Sequence, residues 1–128
     1  MADSFFEAFT PPEVARISAA ATRLRLPEGW SPIGESTPAD KAYIILSGEV
    51  SVRRGGEEIA RLGAGDIMGE TAIVNHTLRT ATIVALTPLE LLHLTDDAVR
   101  RLSEQLPAFR AALDDVVLAR REIRHTGG

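Results

Sequence analysis

The chain contains no cysteine. That excludes a disulfide scaffold, a thiolate metal site and a cysteine nucleophile together. Aromatic residues are scarce at 5%, with a single tryptophan and a single tyrosine. Apolar runs are short; the longest, Ala42 to Leu46, is strand-sized and far below the ~18–20 residues of a membrane span. The opening MADSFFEAF is acidic and has no secretory h-region. A concentrated basic face is also missing: the net charge is −4 and the pI is about 5.3. Nucleic acid is therefore not an expected direct partner, nor is a membrane. A cytoplasmic protein is expected.

What is there describes an ordinary soluble domain. The 128 residues are 45% hydrophobic and 25% charged, and a chain of this size buries enough apolar surface to fold without a metal. One domain over residues 1–128 is expected, with no repeat and no linker to a second. Thr10-Pro11-Pro12-Glu13 reads as a helix start, with proline in the first turn and an acid near the positive end of the dipole. Val14, Ile17 and Ala21 follow at helical spacing, until Leu26-Pro27-Glu28-Gly29 breaks the pattern. A helical segment over about 4–25 is the expectation. Phe5, Phe6 and Phe9 are expected to pack with it.

From Trp30 the rhythm becomes short apolar segments between turn residues. Tyr43–Leu46, Val50–Val52, Glu58–Leu62, Ala81–Leu86 and Leu89–Leu94 read as strands. Arg53-Arg54-Gly55-Gly56-Glu57 reads as a hairpin turn. Such spacing indicates a sandwich, barrel or roll. Helical signals return at Thr95, an N-cap followed by Asp96 and Asp97. Val99 and Leu102 continue that helix, and Leu106-Pro107 interrupts it. A second helix is expected from Pro107 to about Arg124, with His125-Thr126-Gly127-Gly128 frayed. The predicted fold is mainly β with flanking helices: a jelly-roll-like β-roll over about 26–94, a short helix inside it, and two C-terminal helices over about 95–124.

One stretch, from Gly63 to Thr82, departs from the strand rhythm. Gly69 permits a turn or a close backbone approach. Glu70-Thr71-Ala72-Ile73-Val74 is long enough for one helical turn. Its first amides have no intrahelical partner and can receive an anion. Arg79 opens the next strand, and its guanidinium can return to that anion. A carboxylate in such a cradle makes sense when the ligand also carries sugar hydroxyls that donate to it. Phosphate beside ribose describes a nucleotide.

Gly69-Glu70-Thr71-Ala72-Ile73, with Arg79-Thr80-Ala81-Thr82 beginning nine residues after the glutamate, resembles the phosphate-binding cassette of the cyclic-nucleotide-binding domains. Those occur in regulatory subunits of cyclic-AMP-dependent kinases, in cyclic-nucleotide-gated channels and in catabolite-activator-type proteins. Asp40 to Val50 resembles the strand–glycine–strand corner of the same family. The resemblance extends over nearly the whole chain. It implies that Glu70 accepts the ribose 2′-hydroxyl, that the amides of Thr71 and Ala72 meet the cyclic phosphate, and that Arg79 neutralises it. It implies a hydroxyl from Thr80 near phosphate and base, a small wall at Ala81, and a lid helix covering the purine with Leu113, Val116 or Val117. Met68, where the family usually has an aromatic residue, and Asn75-His76-Thr77-Leu78, in place of a glycine- and proline-containing tip, depart from the pattern without removing a ligand contact.

Each residue has a plainer reading. Glu70 can be a helix-start acid, Arg79 a solvated strand residue, and Thr80 and Thr82 β-branched strand formers. Gly63 and Gly65 read as turn glycines. His76, His93 and His125 are scattered and suggest no metal site, and Arg120, Arg121 and Arg124 read as complements to a helix C-terminus. The joint pattern favours a non-catalytic receptor for cAMP, with cGMP less favoured. The alternative is an interaction module of the same fold without ligand. No paired carboxylates or nucleophile–base set suggests an enzyme. Output is expected through a protein partner or a homodimer formed by the terminal helices.

Overall fold

The computed structural model describes residues 5–34, 41–69 and 81–126, with side chains through residue 119 apart from Phe6. Its elements are a short 3-10 helix (Phe5–Ala8), α1 (Pro11–Ala19), β1 (Thr22–Leu26), β2 (Lys41–Ser47), β3 (Val50–Arg54), β4 (Glu57–Leu62), β5 (Ile67–Met68), β6 (Thr82–Ala85), β7 (Leu89–Thr95), α2 (Asp96–Gln105) and α3 (Pro107–Thr126). The strands form two antiparallel sheets. One has the order β1-β7-β2-β5 and the other β4-β3-β6. The described strands do not close into a barrel, so the roll is an open pair of sheets.

Three layers follow from the side-chain alternation of β2, β5 and β7. Ala42, Ile44, Ile67, Leu92 and Leu94 face the helices and pack with Ile17, Val99, Leu102, Phe109 and Leu113. Tyr43, Ile45, Met68, Leu89 and Leu91 face the second sheet and pack with Ile33, Val50, Ile83 and Ala85. β2, β5 and β7 are therefore covered on both faces, while β1 at the sheet's edge stays largely exposed. Ile44 and Ile45, adjacent in sequence and on opposite faces, are both fully buried. Each contributes about 1.5–3 kcal/mol of apolar burial.

Helix boundaries match their caps. The Thr10 side chain accepts from the Glu13 amide while Glu13 accepts from the Thr10 amide at 2.9 Å, a reciprocal capping box. Thr95 accepts from the Ala98 amide at 3.1 Å. Leu106 is extended at φ −123°, ψ 99°, because Pro107 disfavours helix at the residue before it. The 3-10 helix, the residue just after it and α3 meet in a ring triangle: Phe5–Phe9 at 5.2 Å, Phe5–Phe109 at 5.8 Å and Phe9–Phe109 at 6.2 Å between centroids.

The sequence expectations need three corrections. The N-terminal helix ends at Ala19, and Thr22–Leu26 is a strand paired with β7 rather than a continuation of helix to residue 25. Thr22-Arg23-Leu24-Arg25-Leu26 alternates with period two, and Leu24 and Leu26 pack on the second cluster. Ile67–Met68 forms a short strand against β2. The last helix continues through Thr126 instead of fraying at His125.

The Ser47-Gly48 corner is the tightest place in the fold. Gly48 has φ +100°, and a Cβ there would lie 2.5 Å from the Pro88 carbonyl oxygen and 2.7 Å from Leu89 Cδ2. The facing backbone cannot retreat freely, since the Leu86 amide donates to the Glu49 carbonyl at 2.9 Å and the Glu49 amide donates to Thr87 Oγ1 at 3.0 Å. Gly48→Ala is expected to cost about 2–4 kcal/mol through backbone strain and overpacking. Urea denaturation reads this directly; a midpoint equal to the parent's would mean that the corner yields.

Candidate functional site

The candidate cassette connects the end of β5, in the four-stranded sheet, to the start of β6, in the three-stranded sheet. On its entry side β4 turns into β5 through Gly63-Ala64-Gly65-Asp66. The Gly63 amide donates to Asp66 Oδ2 at 2.9 Å, and the Asp66 amide to the Gly63 carbonyl at 3.0 Å. The Gly65 amide donates to the Ile45 carbonyl at 2.7 Å and the Ile45 amide to the Asp66 carbonyl at 2.8 Å. The Phe5 amide donates to the Gly65 carbonyl at 2.7 Å. Gly63 and Gly65 are thus turn residues. Met68 pairs with Tyr43 and is fully buried in the second cluster, where its flexible side chain fills core. Gly69 follows with φ 87°, a left-handed conformation that a side chain would strain.

On the exit side Ala81 is half-buried and Thr82 opens β6. Thr82 pairs with Arg53 and Ile83 with Val52. The Ile83 amide donates to the Ile33 carbonyl at 2.9 Å, and Ser31 Oγ lies 2.9 Å from the Ile33 carbonyl and 2.8 Å from that of Ile83. The chain therefore leaves the four-stranded sheet at Gly69 and enters the three-stranded sheet at Thr82. Of the predicted ligand residues, Gly69 and Ala81 occupy these two ends. Glu70, Thr71, Ala72, Arg79 and Thr80 lie outside the described residues, as do Asn75, His76, Thr77 and Leu78.

Beside the exit lies an apolar row that the sequence reading did not single out. Val52 pairs with Ala60 on one side and Ile83 on the other. At the opposite end of this sheet face Val50 and Ala85 are sealed at 0% and 2% exposure, whereas Val52 and Ala60 stay half-exposed. The neighbouring Ile59 is 42% exposed. The register of β3 and β4 shifts here: Val52 faces Ala60 and Arg53 faces Glu58, leaving Ile59 as the extra residue of a bulge. The alternation Val50-Ser51-Val52 could have assigned Val52 to this face; the openness of the row could not be read from it.

On the other face of that sheet is a polar network. Ser51, fully buried, donates to Glu58 Oε2 at 2.7 Å and accepts from Arg53 Nε at 3.1 Å. Arg61 Nε donates to Glu58 Oε1 at 2.7 Å and Arg61 also approaches Glu49 at 3.8 Å. The hydrogen bond from Arg61, then that from Ser51, holds the Glu58 carboxyl below its ordinary value of 4.5. Glu58 in turn raises the Arg61 guanidinium.

The lid candidates sit on the helix side of the four-stranded sheet. Leu113 is buried in the first cluster, Val116 packs against it half-buried, and Val117 is buried. Leu118 is exposed at 54%. His93 faces the second sheet, its ring 5.5 Å from that of Tyr43. Among the described residues no group of three acidic, histidine or cysteine side chains could hold a metal ion, and no helix is long and apolar enough to cross a membrane.

This fold is similar to part of a catabolite activator. The Thermus thermophilus catabolite activator protein superposes with a TM-score of 0.84 at 28% identity, covering 95% of this chain and 59% of that one. Residues 23–105 match the cyclic nucleotide-binding domain, and the chain belongs to that family. It is 34% identical over 94 residues to the cAMP-dependent protein kinase regulatory subunit of Aspergillus niger, covering 72% of this chain and 23% of that subunit. It is 27% identical over 104 residues to the cGMP-dependent protein kinase egl-4 of Caenorhabditis briggsae, covering 81% of this chain and 14% of the kinase. The chain thus spans less than a quarter of either relative.

Glu58 gives a pH test. Its folded value is depressed, so its contribution to stability is complete above the ordinary value of 4.5 and is lost as pH falls through the lower folded value. Glu58→Gln has no such titration. The gap between parent and variant urea midpoints should narrow as pH is lowered from about 7 to about 3; a constant gap would remove the charge from the account.

Proposed function

We propose that this cyclic nucleotide-binding domain is a non-catalytic receptor, acting in the cytoplasm, for a cyclic purine nucleotide, with cAMP favoured over cGMP. The observation that carries this reading is the seam. Gly69 leaves one sheet in a left-handed turn, and Thr82 enters the other next to the Val52–Ile83 pair; the string Gly-Glu-Thr-Ala-Ile to Arg-Thr-Ala is the sequence that connects them. In this reading Glu70 accepts the ribose hydroxyl, the amides of Thr71 and Ala72 and the guanidinium of Arg79 hold the cyclic phosphate, and Thr80 reaches phosphate and base. Ala81, Ile83, Val52 and Ala60 offer the base an apolar wall. The preference for cAMP is supported by the higher identity to a relative named for that ligand.

Signalling works by population shift: the ligand favours whichever arrangement gives it both cassette and lid. The break at Leu106-Pro107 is the pivot, since the helical ladder is already interrupted there. Turning α3 about it exchanges the contacts of Leu113, Val116 and Val117. The exposed side of α3, carrying Leu118, then presents to a protein partner or a second copy of the chain.

Isothermal titration with cAMP, cGMP and 5′-AMP tests the reading. Saturable binding of the cyclic forms and none of 5′-AMP is expected. Arg79→Ala should weaken binding by about 2–5 kcal/mol, tens-fold to a few thousand-fold. No binding by the parent at high micromolar ligand would leave an interaction module of this fold, and an Arg79→Ala variant as tight as the parent would overturn the assignment of the cradle.

A further inference from the structure

The network on the outer face of the three-stranded sheet coincides with the bulge on which the apolar row ends. Ser51 stands directly between Arg61 and Val84 in the sheet register, and its hydroxyl is fully buried. A buried hydroxyl needs a partner, and Glu58 supplies it at 2.7 Å. Glu58 reaches Ser51 because the bulge brings it opposite Arg53, one residue out of the regular register, with Ile59 left over. Arg61, three residues on, grips the second carboxylate oxygen. One carboxylate thus links the two sides of the extra residue within β4 through Arg61 and ties β4 to β3 through Ser51. Exposed ion pairs alone contribute little, but loss of this one would leave the buried Ser51 hydroxyl without the acceptor it donates to.

We infer that Glu58 is a positioning residue for the nucleotide site: through Ser51 and Arg61 it holds the bulge that sets the Ala60–Val52–Ile83 row against the base. This rests on the nucleotide reading above. Glu58 touches no ligand, and its effect passes through the backbone of β4. A relaxed bulge changes the wall under a two-ring base more than under a one-ring base, while ribose and cyclic phosphate are held by the cassette in either case.

Affinities of the parent and of Glu58→Ala, Glu58→Gln, Ser51→Ala and the Ser51→Ala/Glu58→Gln double variant for cyclic AMP and cyclic CMP, with thermal denaturation of each, test this. Glu58→Ala should lose about 10-fold for cyclic AMP, the size of one or two hydrogen bonds, and clearly less for cyclic CMP. Glu58→Gln, which still accepts from Ser51, should recover most of the loss, and Ser51→Ala and Glu58→Gln should combine less than additively. If Glu58→Ala does not fold, the last three variants carry the same comparison. Equal losses for both ligands, or no loss for either, overturn the positioning role and leave the receptor reading standing. A parent that binds neither ligand overturns the receptor reading and this inference with it.

Discussion

The rest of the structure depends on two paired strands in the middle of one sheet that are covered on both faces. β2 and β7 are apolar on both sides, so their strand pairing is stable only when two further layers exclude water. The helices supply one layer through Ile17, Val99, Leu102, Phe109 and Leu113. The second sheet supplies the other through Ile33, Val50, Ile83 and Ala85. Each connection that passes from one sheet to the other must then run over the edge of the sandwich. Gly69, at the end of one sheet, and Thr82, at the start of a strand in the other, bound the stretch whose sequence resembles a phosphate-binding cassette.

The two ends of that connection are held differently. Gly69 follows two buried residues whose preceding turn is hydrogen-bonded to β2 and to the Phe5 amide. Thr82 begins a short strand at the edge of its sheet, braced by Ile33 through a single backbone bridge and by Ser31. The entry is part of the core, while the exit borders the half-exposed row of Val52 and Ala60. A ligand at this seam would meet firm backbone on one side and apolar surface still open to water on the other, and covering that surface favours binding.

The Phe5–Phe9–Phe109 triangle ties the chain's beginning to the helix that follows the proline break. Edge-to-face rings contribute about 0.5–1.5 kcal/mol per pair beyond their burial. Three of the chain's six aromatic residues meet in this one contact. The start of α3 is therefore anchored, and Leu118 farther along the same helix is exposed.

Much was legible in the sequence because it depends on neighbours in the chain. The caps at Thr10 and Thr95, the break at Leu106-Pro107, the hairpin at Gly55-Gly56 and the apolar strands β2, β3 and β7 all follow from local chemistry or period-two alternation. The order Gly-Glu-Thr-Ala-Ile to Arg-Thr-Ala indicated the family by the same kind of short-range pattern. What the tertiary structure decided involves partners far apart in sequence. Thr22–Leu26 has a weak pattern of its own and becomes strand by pairing with Leu89–His93. Ile67–Met68 is too short to announce itself and exists because β2 offers an edge. Ser51 looked like any strand serine until Glu58 and Arg53 were brought to it across a bulge, since burial and register are properties of the assembled layers and no single segment carries them.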